Sequence, residues 1–132
     1  MKYTADTWFL IKLITGDEKA IKIKDEVIEG KSRLVIPVIV IVELVREMVR
    51  KGNPNTVNSL IRSLLVSSKI TIANLDQTIA MEAGKMGITF NIPLVDSTIL
   101  ATAIIFEHTS ILTNDEHYKL AEKRDRIKRV FW

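Results

Sequence analysis

Short β-branched runs alternate with segments of helical periodicity along the whole chain, and this alternation leaves few folds open. Residues 3–5, 34–36, 70–73, 111–113 and 130–132 read as strands. Between them, residues 7–15, 17–29, 38–51, 56–67, 77–86, 95–107 and 116–123 carry helical spacing. Gly16, Gly30, Gly52 and Gly87 read as helix stops, and Asp76 as a helix cap. The uncharged run 34–42 divides at Pro37, which cannot donate to a central ladder but is well tolerated at a helix start. Strands separated by helices predict a three-layer α/β/α fold around a parallel sheet. No repeat, linker or low-complexity tract interrupts it, so residues 1–132 are expected to form a single domain. Ligands of such folds gather beyond the carboxyl ends of the strands, where the strand order reverses.

Acidic residues stand at those ends. Asp6 closes the first strand segment, and Asp115 follows Ser110-Ile111-Leu112-Thr113-Asn114. Glu43 comes directly after the uncharged run 34–42, and Asp96 interrupts an apolar stretch between Val95 and Ser97. Each has an ordinary reading. Asp6, Asp96 and Asp115 can cap helices or turns. Glu43 starts a polar stripe with Arg46, Glu47 and Arg50 that suits a solvated helix face. Carboxylates brought together near a core, however, suffer both desolvation and mutual repulsion. A divalent cation relieves both, which makes a metal site the alternative reading.

Composition narrows the classes. The chain of 132 residues is 47% hydrophobic and 27% charged, which predicts a globular protein. It has no cysteine, so disulfides, thiolate chemistry and cysteine-bound zinc or iron–sulfur sites are excluded. The formal charge of +3 suits contact with a polyanion without requiring it. The longest uncharged run is far below the roughly 20 apolar residues of a membrane span. No signal-peptide pattern opens the chain, so a cytoplasmic protein is expected.

The pattern Asp6-Thr7, Glu43-Leu44, Asp96-Ser97-Thr98-Ile99-Leu100-Ala101-Thr102-Ala103 and Thr113-Asn114-Asp115 resembles the PIN-domain nucleases, and in length and layout their small VapC-type toxins. The stretches from Asp96 and around Asp115 are the most specific pieces. The resemblance implies a central parallel sheet of about five strands in the order 3-2-1-4-5. It also implies Mg²⁺- or Mn²⁺-dependent endoribonuclease activity, a homodimer and a cognate antitoxin protein. The acidic set falls on Asp6, Glu43, Asp96 and Asp115, with Thr113 and Ser97 in support. Asp6, Asp96 and Asp115 are expected as metal ligands, and Glu43 as a ligand directly or through water. One position departs from the family pattern: Trp8 stands where a small polar residue is common.

Other readings stay open beside this one. An RNA-processing nuclease that is not a toxin, or a PIN-like module that binds RNA or protein without cutting, would share the layout. A haloacid-dehalogenase-type phosphoryl transfer site is disfavoured because Trp8 occupies the place of its second Asp, and no P-loop motif occurs. Glu116 and Glu82 are read as solvated helix residues, and His108 and His117 as surface or satisfied histidines. The basic cluster Lys119, Lys123, Arg124, Arg126, Lys128 and Arg129 is read first as a solvated face and second as an RNA contact. Trp8, Phe9, Phe106 and Phe131 are read as core or interface.

Overall fold

The computed structural model describes residues 1–132. Its strands are β1 (Lys2–Ala5), β2 (Arg33–Pro37), β3 (Ile70–Ala73), β4 (Ser110–Leu112) and β5 (Lys128–Val130). The helices are α1 (Thr7–Ile14), α2 (Glu18–Ile28), α3 (Val38–Arg50), α4 (Thr56–Leu64), α5 (Gln77–Thr89), α6 (Leu94–Ile105) and α7 (Lys119–Lys123), with a 3₁₀ turn at Glu116–Tyr118. All strand pairings are parallel, in the order β3-β2-β1-β4-β5. The expected architecture and strand order are therefore present.

The order reverses at β1, which pairs with β2 on one side and β4 on the other. Thr4 lies opposite Val35 and Ile111 in the register, and Ala5 opposite Leu112. Apart from the charged or polar residues that start them, the three central strands are mostly apolar because helices cover both their faces. Ala5, Leu34, Ile36, Ile111 and Leu112 are fully buried. Thr4, also fully buried, satisfies its hydroxyl by donating to the His108 carbonyl at 2.7 Å. α6 packs on β1 and β2 and forms a broad contact with α5. No single helix is long and apolar enough to cross a membrane.

Several boundaries differ from expectation; α4, for one, ends at Leu64 rather than at residue 67. Gly87 does not stop α5, which runs on to Thr89 and exits through Asn91 at φ 51°. A helical glycine weakens a helix without ending it, and Asn tolerates the left-handed exit better than most residues. α6 begins at Leu94, with Pro93 in the capping position. β5 is Lys128–Val130 rather than residues 130–132. It is an edge strand with charged side chains, a composition that hides a strand from hydropathy and protects the edge. Trp132 leaves the sheet: its indole donates to Asp17 at 2.9 Å and its ring meets Trp8 edge-on at 4.8 Å.

Candidate metal centre

Asp6 follows β1 directly and is 7% exposed. It is also the N-cap of α1, accepting the Thr7 amide at 2.7 Å on Oδ1. Its other oxygen accepts the Thr113 hydroxyl at 2.6 Å. Thr113 lies just past β4, and its Oγ1 in turn accepts the Asp115 amide at 3.0 Å. One threonine thus ties the ends of two adjacent strands together and fixes both acids. Asp115 caps the 3₁₀ turn, with Oδ1 accepting the His117 amide at 2.8 Å. The capping readings of Asp6 and Asp115 hold, and each residue still turns a carboxylate towards the same cleft.

Asp96 is not a cap. Because α6 starts two residues earlier, Asp96 lies in its first turn, where the positive end of the helix favours an anion. Glu43 keeps its place in the stripe with Arg46, Glu47 and Arg50, with which it shares one surface depression, and also accepts the Thr7 hydroxyl at 2.8 Å. The cleft, about 520 Å³, is lined by Asp6, Thr7, Trp8, Ile11, Glu43, Asp96, Asn114 and Asp115. All four predicted acids therefore meet, and no lysine or arginine lines the cleft with them. Ser97 points elsewhere. One residue on from Asp96, it is rotated by a helical step, donates to Leu94 O at 3.0 Å and lies beside Gly87.

The crowding shows in the protonation equilibria. Burial pushes the Asp6 carboxyl up to about 6; the hydrogen bonds from Thr113 and Thr7 oppose this, and the Asp96 and Glu43 charges add to it. Burial also raises Asp96, as does the Asp115 charge, against the opposing effect of His117. His117 was read as a surface or satisfied histidine, yet its Nδ1 lies 2.7 Å from Asp96 Oδ2 and 3.1 Å from Asp115 Oδ1. The Asp115 charge, more than that of Asp96, raises its pKa. Tyr118 is fully buried and its hydroxyl has no hydrogen-bond partner in the protein. Its pKa lies well above the ordinary phenol value, through burial first and then through Asp6, Asp96, Asp115 and Glu43.

Other charged residues are accounted for. Glu116 is exposed and 3.7 Å from Lys119, and Glu82 pairs with Lys85 at 3.4 Å. His108 is buried and bonds Tyr3 O through Nδ1 at 2.9 Å, as a satisfied histidine should. Within the basic cluster Arg129 departs from the solvated reading: its Nε lies 3.1 Å from Glu122, and Nη1 donates to Asp115 O at 3.4 Å. Trp8 is partly buried at the cleft wall, against Trp132.

The donor set suits a hard divalent cation. Carboxylate oxygens from four separate elements converge without a lysine or arginine among them, and a buried hydroxyl without a partner lies near all four. Asp96, Asp115 and His117 place one ligand-type atom each within 4.8 Å of one another.

The sequence pattern of the PIN domain matches residues 3–124. This chain belongs to the PIN-domain family. The family is one of nucleases, which sets the reaction class as hydrolysis. Among solved structures, this PIN domain is similar to a chain of VapBC2 from Rickettsia felis, determined with a DNA fragment from their promoter. The identity is 18% over all of this chain and 99% of the other, with a TM-score of 0.75. It is similar to VapC20 from Mycobacterium tuberculosis, a sarcin–ricin loop cleaving toxin, at 14% identity over 90% of this chain and 94% of the other, with a TM-score of 0.68. A toxin–antitoxin complex from Klebsiella pneumoniae contains a third similar chain, at 23% identity over 86% and 87% of the two chains, with a TM-score of 0.62. At these identities the likeness is one of fold. No curated protein sequence matches.

Sequence reasoning missed Thr7, His117 and Tyr118 as parts of the site. Thr7 and His117 were detectable only as neighbours of Asp6 and Asp115 in the chain. The partner of Thr7, Glu43, is 36 positions away.

Proposed function

We propose that this PIN domain is a Mg²⁺- or Mn²⁺-dependent endoribonuclease and the toxin of a toxin–antitoxin pair. The observation that carries the reading is the convergence of Asp6, Glu43, Asp96 and Asp115 in one cleft at the strand-order reversal. Asp6, Asp96 and Asp115 would hold the cation, with Glu43 bound directly or through water. When bound, such an ion neutralises phosphate oxygens and lowers the pKa of water, the two requirements of phosphodiester hydrolysis.

The remaining work belongs to the protein. Thr113 and the Thr7 amide fix both oxygens of Asp6, so the carboxylate keeps one orientation. Thr7 holds Glu43 in the same way through its hydroxyl. In this reading Glu43 and Asp115 accept hydrogen bonds from the attacking water and aim it at the phosphorus. Similarity to a toxin that cleaves the sarcin–ricin loop supports RNA as the substrate. Similarity to a chain of a toxin–antitoxin complex supports a protein antitoxin as partner. A homodimer and a cytoplasmic site of action belong to the same proposal.

The test is RNA cleavage with purified protein. Chelator should abolish it, and Asp96→Asn, which keeps shape but removes charge, should lower it by at least about a hundredfold, the scale of losing one electrostatic element of an active site. Cleavage by Asp96→Asn at the wild-type rate would overturn the assignment.

A further inference from the structure

The all-carboxylate reading gives His117, which stands against Asp96 and Asp115 at the edge of the cleft, no role beyond an ion pair. We propose that His117 is a nitrogen ligand of the cation, and that this centre therefore selects Mn²⁺ over Mg²⁺. The inference rests on the proposed cation-dependent function and adds the identity of the ion.

Geometry carries it. His117 Nδ1 stands 2.7 Å from Asp96 Oδ2 and 3.1 Å from Asp115 Oδ1. Adjacent ligands of a six-coordinate ion with bonds of about 2.1 Å are separated by about 3.0 Å. The nitrogen and both oxygens are thus already spaced as neighbours on one ion, and all three ligand atoms lie within 4.8 Å of one another. The ring is also held in place from behind. Asp115 caps the 3₁₀ turn and accepts the His117 amide at 2.8 Å, and the next residue, Tyr118, anchors that turn in the core. Asp115 and His117 therefore move as one unit. The His117 side chain is 53% exposed, so the proton that Nδ1 gives up on binding an ion can pass to solvent while Nε2 keeps its own. The buried Tyr118 hydroxyl, which has no protein partner, is near enough to the four acids for their charges to raise its pKa.

The chemistry of the ions then decides between them. Mg²⁺ takes oxygen ligands and gives up water reluctantly. Imidazole suits first-row transition-metal ions better than Mg²⁺; Mn²⁺, the weakest binder of that series and the one most like Mg²⁺ in its taste for carboxylates, can still accept one nitrogen. Two carboxylates and one imidazole on a single ion favour Mn²⁺, whereas a set of carboxylates alone would discriminate little.

The experiment uses the full chain loaded with Mn²⁺. Pulsed electron paramagnetic resonance should show ¹⁴N modulation from a coordinated imidazole, and His117→Gln should lose it. By calorimetric titration, His117→Gln should weaken Mn²⁺ binding on the order of tenfold, the lower end of what disturbing a metal's surroundings costs. Mg²⁺ binding should change little. Since His117 is half-exposed and on a turn, the variant is expected to fold, which circular dichroism checks. Mn²⁺ bound without imidazole modulation, or bound equally by wild type and His117→Gln, overturns the inference and leaves the carboxylate centre standing. Absence of Mn²⁺ and Mg²⁺ binding in the wild type overturns both.

Discussion

Asp6 is a buried carboxylate whose surroundings disfavour its charge. Its pKa of about 6, against an ordinary 3.8, means that the folded chain holds the proton more tightly than the unfolded chain. Ionised Asp6 thus lowers stability by about 3 kcal/mol at neutral pH. The cost is complete above about pH 6 and vanishes below the unfolded value of 3.8. The groups facing it are Thr113, the Thr7 amide, Asp96 and Glu43, of which only the acids add to the repulsion. Asp6→Asn should therefore stabilise the cation-free protein at pH 7, by about 1–2 kcal/mol once the buried amide's imperfect hydrogen bonds are allowed for. The stability difference between Asp6→Asn and wild type should shrink towards zero, or reverse, as pH falls to about 4. Comparing the two chains cancels the opposite trend of His108, whose pKa burial lowers. Urea melts across pH measure it, and a variant less stable than wild type at pH 7 would refute the account. The same substitution should abolish cleavage, because the charge that destabilises the fold is the one proposed to hold the ion.

Asp6, Asp96 and Asp115 are placed by helix or turn starts and Glu43 by the interior of α3, and the glycines of the helices are not alike. Gly16 follows α1 at φ 79°, a conformation in which any side chain is strained. Gly84 lies inside α5 with nothing within 4 Å of an added Cβ, and Gly87 meets Ser97 Oγ no closer than 3.4 Å. Gly84→Ala and Gly87→Ala should each raise stability by about 0.5–1 kcal/mol, while Gly16→Ala should lower it by about 1 kcal/mol. Thermal melts separate the two classes; a loss at Gly84 would show that α5 does not continue through it. These positions also explain what was legible in the sequence. The alternation of strand and helix and the break at Pro37 follow from local chemistry; the family resemblance supplied the strand order and united the four acids, each of which has an ordinary reading by itself. The overrun at Gly87 was not legible, because a glycine marks a stop only when its backbone turns left-handed, and that is decided by the packing of α5 on α6. β5 was displaced because its charged side chains belong to an edge. Ser97 and His117 exchanged importance for a rotational reason: a single step along α6 turns a residue away from the cleft, while a tight turn brings one two positions past Asp115 against Asp96 and Asp115.

At the level of the fold, a parallel sheet brings together chain ends that are far apart in sequence. β1 and β4 are neighbours at the order reversal, so Asp6 and Asp115 meet across 109 positions of chain (115 − 6), bridged by Thr113. Such a cluster has no stabilising role by itself; its mutual repulsion opposes folding, and a cation that binds only the folded chain offsets that repulsion by mass action. At a concentration a hundred times its Kd, Mn²⁺ should add about 2.7 kcal/mol, a rise of roughly 10 °C in Tm for a chain of this size. The rise should be largest above pH 7 and should diminish towards pH 5. Asp6 and Asp96, both with raised pKa values, then take up the protons that compete with the ion, and so does His117. Asp6→Asn, already relieved of the repulsion, should start from a higher Tm and respond much less. Scanning calorimetry of both chains with and without Mn²⁺ provides the measurement. Equal shifts in wild type and Asp6→Asn would place the ion elsewhere on the molecule and remove the physical reason for four acids to meet at the end of the sheet.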